Sequence, residues 1–352
     1  MIECDSAGLE ILVAAFAGGA FGASIGPLPA FVVTGLLVIA GETVALVERT
    51  VGPETALPAV TEAIAFGPVF GPHVSFAGGA AAAAYAARYD RHPVVADSPS
   101  DARAPAKHIT SGLGTRPDVL AVGGCFGVAG QLVLAGSVAV DAPWDPVAMG
   151  VVLSAILHRI VLGYEVVGTV RTGSRFDMTP SGTTGDAVTD GGRPRPDPWL
   201  SYMCRWRDVT TIGLVAGVLG GYIAFVTASP FLAFGVSAAA LVFMTAGVGR
   251  IPVTHHVTLP ASAAPFAVAG LSADELTPAA VASAISLPEA LLLGACFGLV
   301  GAIVGELVQR ALYAHAETHF DPPAASIVVT TALIAALAMV GVFETAVWIP
   351  HP

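Results

Sequence analysis

Apolar residues in this chain run in long uninterrupted blocks separated by short polar stretches. Ten blocks stand out, at about 8–25, 30–48, 74–88, 118–136, 147–168, 209–228, 231–248, 257–271, 288–311 and 324–346. Most reach the ~20 residues that a helix needs to cross a bilayer core. The third and eighth, opening near Val74 and Val257, are shorter. The blocks are built of Ala, Gly, Val and Leu without a period-two alternation, which favours helices over barrel strands. The pattern therefore predicts an all-α membrane protein of about ten transmembrane helices, with short or interrupted helices at the start of spans three and eight.

Composition agrees with that reading. Of 352 residues, 55% are hydrophobic and 12% charged, and the mean hydropathy is +0.76. An ordinary soluble enzyme is excluded. The net charge of −11 argues against nucleic acid as a partner. Lys107 is the single lysine beside fourteen arginines. Acidic, lysine-poor loops stay hydrated in a high-salt cytoplasm, so a halophilic archaeon is the expected source. The opening residues Met1 to Ser6 carry acid and no base, so no cleavable leader is expected.

Charge also orients the spans. Basic residues follow span three (Arg88, Arg91, Arg103, Lys107, Arg116) and span five (Arg171, Arg175, Arg193, Arg195, Arg205, Arg207), and Arg250 and Arg310 follow spans seven and nine. Basic loops mark the cytoplasmic side, so both termini are expected outside a multi-pass cell-membrane protein. Acids gather on the opposite side, with Glu3, Asp5, Glu10, Glu54, Asp141, Asp274 and Glu275.

The chain also repeats itself. Gly123-Gly124-Cys125-Phe126-Gly127-Val128-Ala129-Gly130 is echoed by Gly294-Ala295-Cys296-Phe297-Gly298-Leu299-Val300-Gly301. His73-Val74-Ser75 matches His256-Val257-Thr258, and Asp145-Pro146 matches Asp321-Pro322. The order is conserved between the copies at offsets of about 171 to 183 positions, a sign of internal duplication. Two five-helix repeats follow, 1–167 and 207–352, joined by a flexible cytoplasmic linker at 168–206 that is rich in Gly and Pro. In the linker's last part, Trp199, Tyr202 and Trp206 read as interfacial anchors. Five crossings per half make the second repeat insert upside down, the inverted plan of many transporters.

Candidate chemistry sits where short helices begin. Inversion is expected to bring the N-termini at His73 and Ser75 and at His256 and Thr258 tip to tip, with His255 beside them. Helix N-termini offer free N–H groups and partial positive charge, which suits an anion or a polar neutral solute. The plainer alternative is that both histidines and both hydroxyls only cap helices. Arg159 lies inside span five, where a charge demands a partner, and Glu306 and Glu165 are the expected ones. Gln131 has no counterpart in the second half, where Ala302 stands. Glu42 is expected near the outer headgroups or an outer vestibule. No cofactor, metal cluster or catalytic set is expected, so the chain does not read as an enzyme.

In outline the five-plus-five plan with matched histidines is similar to that of ammonium and urea channels. The resemblance is architectural and implies a solute pathway at the interface of the halves. The leading expectation is a small-solute transporter or channel among membrane lipids, assembled as a homo-oligomer through glycine-rich helix faces. The alternative is a structural, assembly or lipid-binding membrane protein without transport.

Overall fold

The computed structural model describes residues 6–51, 59–89, 105–170, 176, 178, 189–190, 193–194 and 197–350. Outside them lie the loop bases Arg91, Arg103, Arg171, Arg175 and Arg195 and the acids Glu3, Asp5 and Glu54. The described residues form twelve α-helices: α1 (Ser6–Ile25), α2 (Pro27–Val51), α3 (Ser75–Tyr89), α4 (Pro117–Ala139), α5 (Pro146–Val161), α6 (Trp206–Thr227), α7 (Leu232–Ala239), α8 (Val242–Thr245), α9 (His255–Val268), α10 (Pro278–Ala284), α11 (Leu287–Val308) and α12 (Pro322–Met339). A helix coincides with each of the ten apolar blocks; the seventh block is divided into α7 and α8, and α10 is an addition. Strand pairing among the described residues is a two-residue ladder, Thr189–Asp190 against Arg193–Pro194.

Among the described residues six helices are long and apolar enough to cross a membrane by length and composition: Gly8–Ile25, Pro27–Glu48, Pro117–Ala139, Trp206–Thr227, Leu287–Tyr313 and Pro322–Met339. Their outward positions are apolar too. Leu9, Val13, Leu132, Val215 and Leu292 are all well exposed. An apolar exterior on long helices suits hydrocarbon and not water. The protein is thus a helical membrane protein.

Local chemistry sets several helix starts. Asp145 accepts from the Ala148 amide at 2.7 Å, and Asp321 from the Ala324 amide at 2.8 Å. In both, proline follows at the first helical position, where a missing N–H costs nothing. Ser286 and Glu289 form a reciprocal capping box on α11. α3 has 15 residues and α9 has 14. α9 also carries Pro260 and Pro265 within it.

Helix packing follows one scheme twice. α1 packs on α3 and α4, and α6 packs on α9 and α11. α3 touches α4, α2 and α5; α9 touches α11, α7 and α12. The halves meet where α2 lies on α7 and where α5 lies on α12. Glycine lets the central contacts form. A Cβ on Gly130 would sit 1.7 Å from the His73 carbonyl oxygen, and one on Gly301 would sit 2.5 Å from that of His256. The glycine faces of α4 and α11 are likewise spent within the chain, against Gly19 of α1 and Gly217 of α6. They are not free to join a second copy.

Several local expectations give way. Trp199 is buried and is not a surface anchor. Its backbone N–H donates to Gln309 Oε1 at 3.1 Å. Within 168–206, the Phe176 and Cys204 carbonyls accept from Arg310 at 2.7 and 2.8 Å, and Asp197 meets Lys107 at 3.4 Å. Glu42 does not reach headgroups. It is buried and accepts from Thr61 Oγ1 at 2.8 Å and Ser229 Oγ at 2.6 Å, joining α2 to the turn before α3 and to the start of α7.

Candidate functional site

A cavity of about 610 Å³ lies between the halves. Its walls come from both at corresponding places. Pro72 and Phe76 on one side correspond to His255 and Leu259 on the other; Asp145, Ala148 and Val151 of α5 correspond to Asp321, Ala324 and Ile327 of α12. Leu28 and Phe31 of α2 correspond to Phe231 and Phe234 at α7, within Pro27-Leu28-Pro29-Ala30-Phe31 and Pro230-Phe231-Leu232-Ala233-Phe234. The Phe31 and Phe234 rings meet edge to face at 5.9 Å between centroids. Trp199 and Trp348 complete the wall from outside the matched set.

The first turns of α3, α5, α9 and α12 thus surround the space. Two of these helix starts carry their own carboxylate cap. Asp145 uses one oxygen on its helix and takes the Trp348 indole N–H on the other at 3.2 Å. Asp321 uses one oxygen on its helix, and the other stands 3.5 Å from His319 Nε2. The remaining acid of the wall is Glu62, which is solvent-exposed. Among the described residues the wall contains no lysine or arginine.

The expected site residues fall into three groups. Gln131 and His255 line the cavity. His73 does not; it stands behind Gln131, its Nε2 3.0 Å from Gln131 Oε1. His256 points away from the cavity against α11, next to Gly305, and borders a separate void of about 40 Å³ with Glu306. Successive residues on a helix point about 100° apart, so only one of the adjacent histidines can face the space. The two matched histidines therefore do not meet across it.

The hydroxyls serve the backbone. Ser75 Oγ donates to the Phe70 and Gly71 carbonyls at 3.2 and 3.3 Å. Thr258 Oγ1 lies 3.3 Å from Ser237 Oγ, the Thr254 carbonyl and the His255 carbonyl. Arg159 and Glu306 do not pair with each other, nor does Arg159 pair with Glu165. Arg159 is fully buried and donates to Thr318 Oγ1 (2.9 Å), the Thr318 carbonyl (3.0 Å) and the Val166 carbonyl (2.6 Å). Glu306 instead accepts from Arg310 and Gln309, both at 2.7 Å. These are clamps between the helix ends and the loops.

Sequence reading overlooked the aromatic wall. The Pro-Leu-Pro-Ala-Phe and Pro-Phe-Leu-Ala-Phe pair was its available signal. Among the described residues no group of three or more His, Cys, Asp or Glu is placed to hold a metal ion.

Residues 1–352 match the family described as "Family of unknown function (DUF7973)", and the chain belongs to it. No curated protein and no solved structure matches the chain.

Proposed function

We propose that this DUF7973 member is a small-solute transporter or channel of the cell membrane, its pathway running through the cavity between the halves. The observation that carries this is the cavity wall itself, contributed at corresponding positions by both halves. Large pockets with an apolar wall and a few convergent polar groups are the usual form of a small-molecule site.

In this reading residues 1–167 and 207–352 are two five-helix repeats, inserted with opposite orientation, and both termini lie outside. The recurring packing scheme and the odd number of segments per half support the inversion. Acidic, lysine-poor loops support a high-salt source. Of the two expected solute classes, a polar neutral one suits the wall better than an anion, because no cationic side chain of the described residues faces the space. A homo-oligomer, also part of the proposal, would form through outer apolar faces.

The second reading, lipid binding without transport, draws support from the same apolar wall. Uptake into vesicles separates the two. The purified protein is reconstituted in liposomes and uptake of small neutral solutes and anions is followed, with Ala148→Trp and Ala324→Trp filling the cavity from either half. Transport predicts solute-selective flux that both variants suppress. Flux no greater than in empty liposomes for every solute would remove the transport reading.

A further inference from the structure

We propose that the cavity recognises an uncharged solute with an aromatic-sized apolar body and one carbonyl- or hydroxyl-bearing head, the head being held by Gln131 and His255. This deepens the transport reading and rests on it for the claim that the cavity receives a solute.

Charge decides the first step. An anion entering the space meets no lysine or arginine among the described residues, and Arg159 and Arg310 are committed to carbonyls elsewhere. Desolvating a charge without a counter-charge costs several kcal/mol, so anions are rejected. A cation fares little better: Glu62 of the wall is solvent-exposed, where water and salt screen its charge. Asp145 and Asp321 each spend an oxygen on their own helix start, and the other faces Trp348 or His319. Each carboxylate also offsets the positive end of the helix it caps.

Hydrogen bonding decides the second step. Gln131 accepts from His73 through its side-chain oxygen, which leaves its NH₂ as the donor toward the cavity. His255 lines the cavity and is 4% exposed, and its Nδ1 is buried without a hydrogen-bond partner among the described residues. Its ring is held between Phe31 and Phe234, with centroids 4.7 and 5.7 Å away. A buried polar group left unpaired is costly. A ligand head with an acceptor for Gln131 and a hydroxyl or carbonyl for the imidazole answers both. A quaternary ammonium answers neither. The body then lies on Phe31, Phe76, Phe234 and Leu259.

Trp199 and Trp348 line the space, so ligand binding to the detergent-purified full chain is readable by tryptophan fluorescence. A series of matched size is used: benzamide and benzyl alcohol (uncharged), benzoate, benzylammonium, and toluene as the headless body. The expected result is benzamide or benzyl alcohol binding at least about tenfold tighter than either ion. Gln131→Leu and His255→Phe each weaken the uncharged pair about tenfold and leave toluene unchanged, which shows the cavity intact. Benzoate or benzylammonium binding as tightly as benzamide overturns the proposal. So does an equal loss for toluene and benzamide in the variants, or a co-purified lipid that none of the series displaces. Head-selective binding without flux in liposomes leaves this inference standing and removes transport; flux of another solute without benzamide or benzyl alcohol binding does the reverse.

Discussion

Gly130→Ala is the sharpest test of how the short helix α3 is seated. The built Cβ falls 1.7 Å from the His73 carbonyl oxygen and 2.8 Å from its carbon. Carbon and oxygen in contact stand about 3.3 Å apart, so α4 and the turn before α3 must separate by roughly 1.6 Å. Overpacking of a rigid contact costs about 1–3 kcal/mol. The movement also pulls His73 from Gln131, a loss of about 1 kcal/mol. At Gly301 the corresponding gap is 2.5 Å, which asks for about half the movement and a smaller loss within the same overpacking range. Gly136, near the end of the same helix as Gly130, has nothing within 4 Å of its built Cβ. Alanine there gains helix propensity, at most about 1 kcal/mol. The predicted stability order is Gly136→Ala, wild type, Gly301→Ala, Gly130→Ala, spanning about 2–5 kcal/mol from first to last. Unfolding by dodecyl sulfate titration of the purified protein in mild detergent measures it. A Gly130→Ala protein as stable as Gly136→Ala would refute the reasoning, because the close seat of the turn on α4 would then not exist.

Three further outcomes follow from single side chains. Glu42→Leu leaves the buried Thr61 and Ser229 hydroxyls without their acceptor and is expected to cost about 2–3 kcal/mol, while Glu42→Gln keeps one acceptor and costs about 1 kcal/mol; thermal unfolding ranks the two. Arg159→Lys cannot reproduce three donations to oxygens on two segments, so a loss of about 2–3 kcal/mol in unfolding free energy is expected, and a neutral result would show that a point charge suffices. The hydrogen bond from Ser272 holds the Glu275 carboxyl below the usual carboxylate range. A depressed pKa adds stability above the unfolded value that is lost as pH falls through the folded one. The difference in thermal midpoint between wild type and Glu275→Gln should therefore be full well above the unfolded carboxyl's pKa of about 4.3 and shrink as the pH falls through the lower folded value.

Much of the architecture was legible in the amino-acid order because it depends on local signals. Block length and apolar composition located the helices, and Asp-Pro marked the starts of α5 and α12. What escaped reading depends on facing and on partners. Nothing in the sequence says whether His255 or His256 turns inward, since a shift of one residue rotates the side chain by about 100°. Arg159 was assigned carboxylate partners, whereas its partners are mainly backbone carbonyls, which every residue carries. The Phe31 and Phe234 match was missed for a different reason. Those residues are 203 positions apart, whereas the Cys-Phe-Gly motifs differ by 171. Loops of unequal length shift the register from one helix to the next, and 203 lies outside the 171 to 183 at which the other motifs align.

The places where the two halves agree and the places where they differ divide the labour of the cavity. Agreement builds the container: Phe31 with Phe234, Asp145 with Asp321, Ala148 with Ala324, and a glycine under each paired histidine. These are packing and capping residues, and a change in one half cannot be absorbed without strain in its contacts. Difference supplies the polar handles. Where the first half has Pro72 the second has His255, and where the second has Ala302 the first has Gln131. A fully matched wall would offer either no hydrogen-bonding head group or two opposed ones. Two unmatched residues, one from each half, make the polar lining asymmetric in a wall whose matched carboxylates serve their own helix starts, and under the proposal above a solute with one head and one body then binds in one orientation. Exchanging the differences tests this directly: His255→Pro with Gln131→Ala makes the walls alike. If orientation selectivity has its source there, that double variant keeps the cavity's affinity for toluene and loses its preference for benzamide.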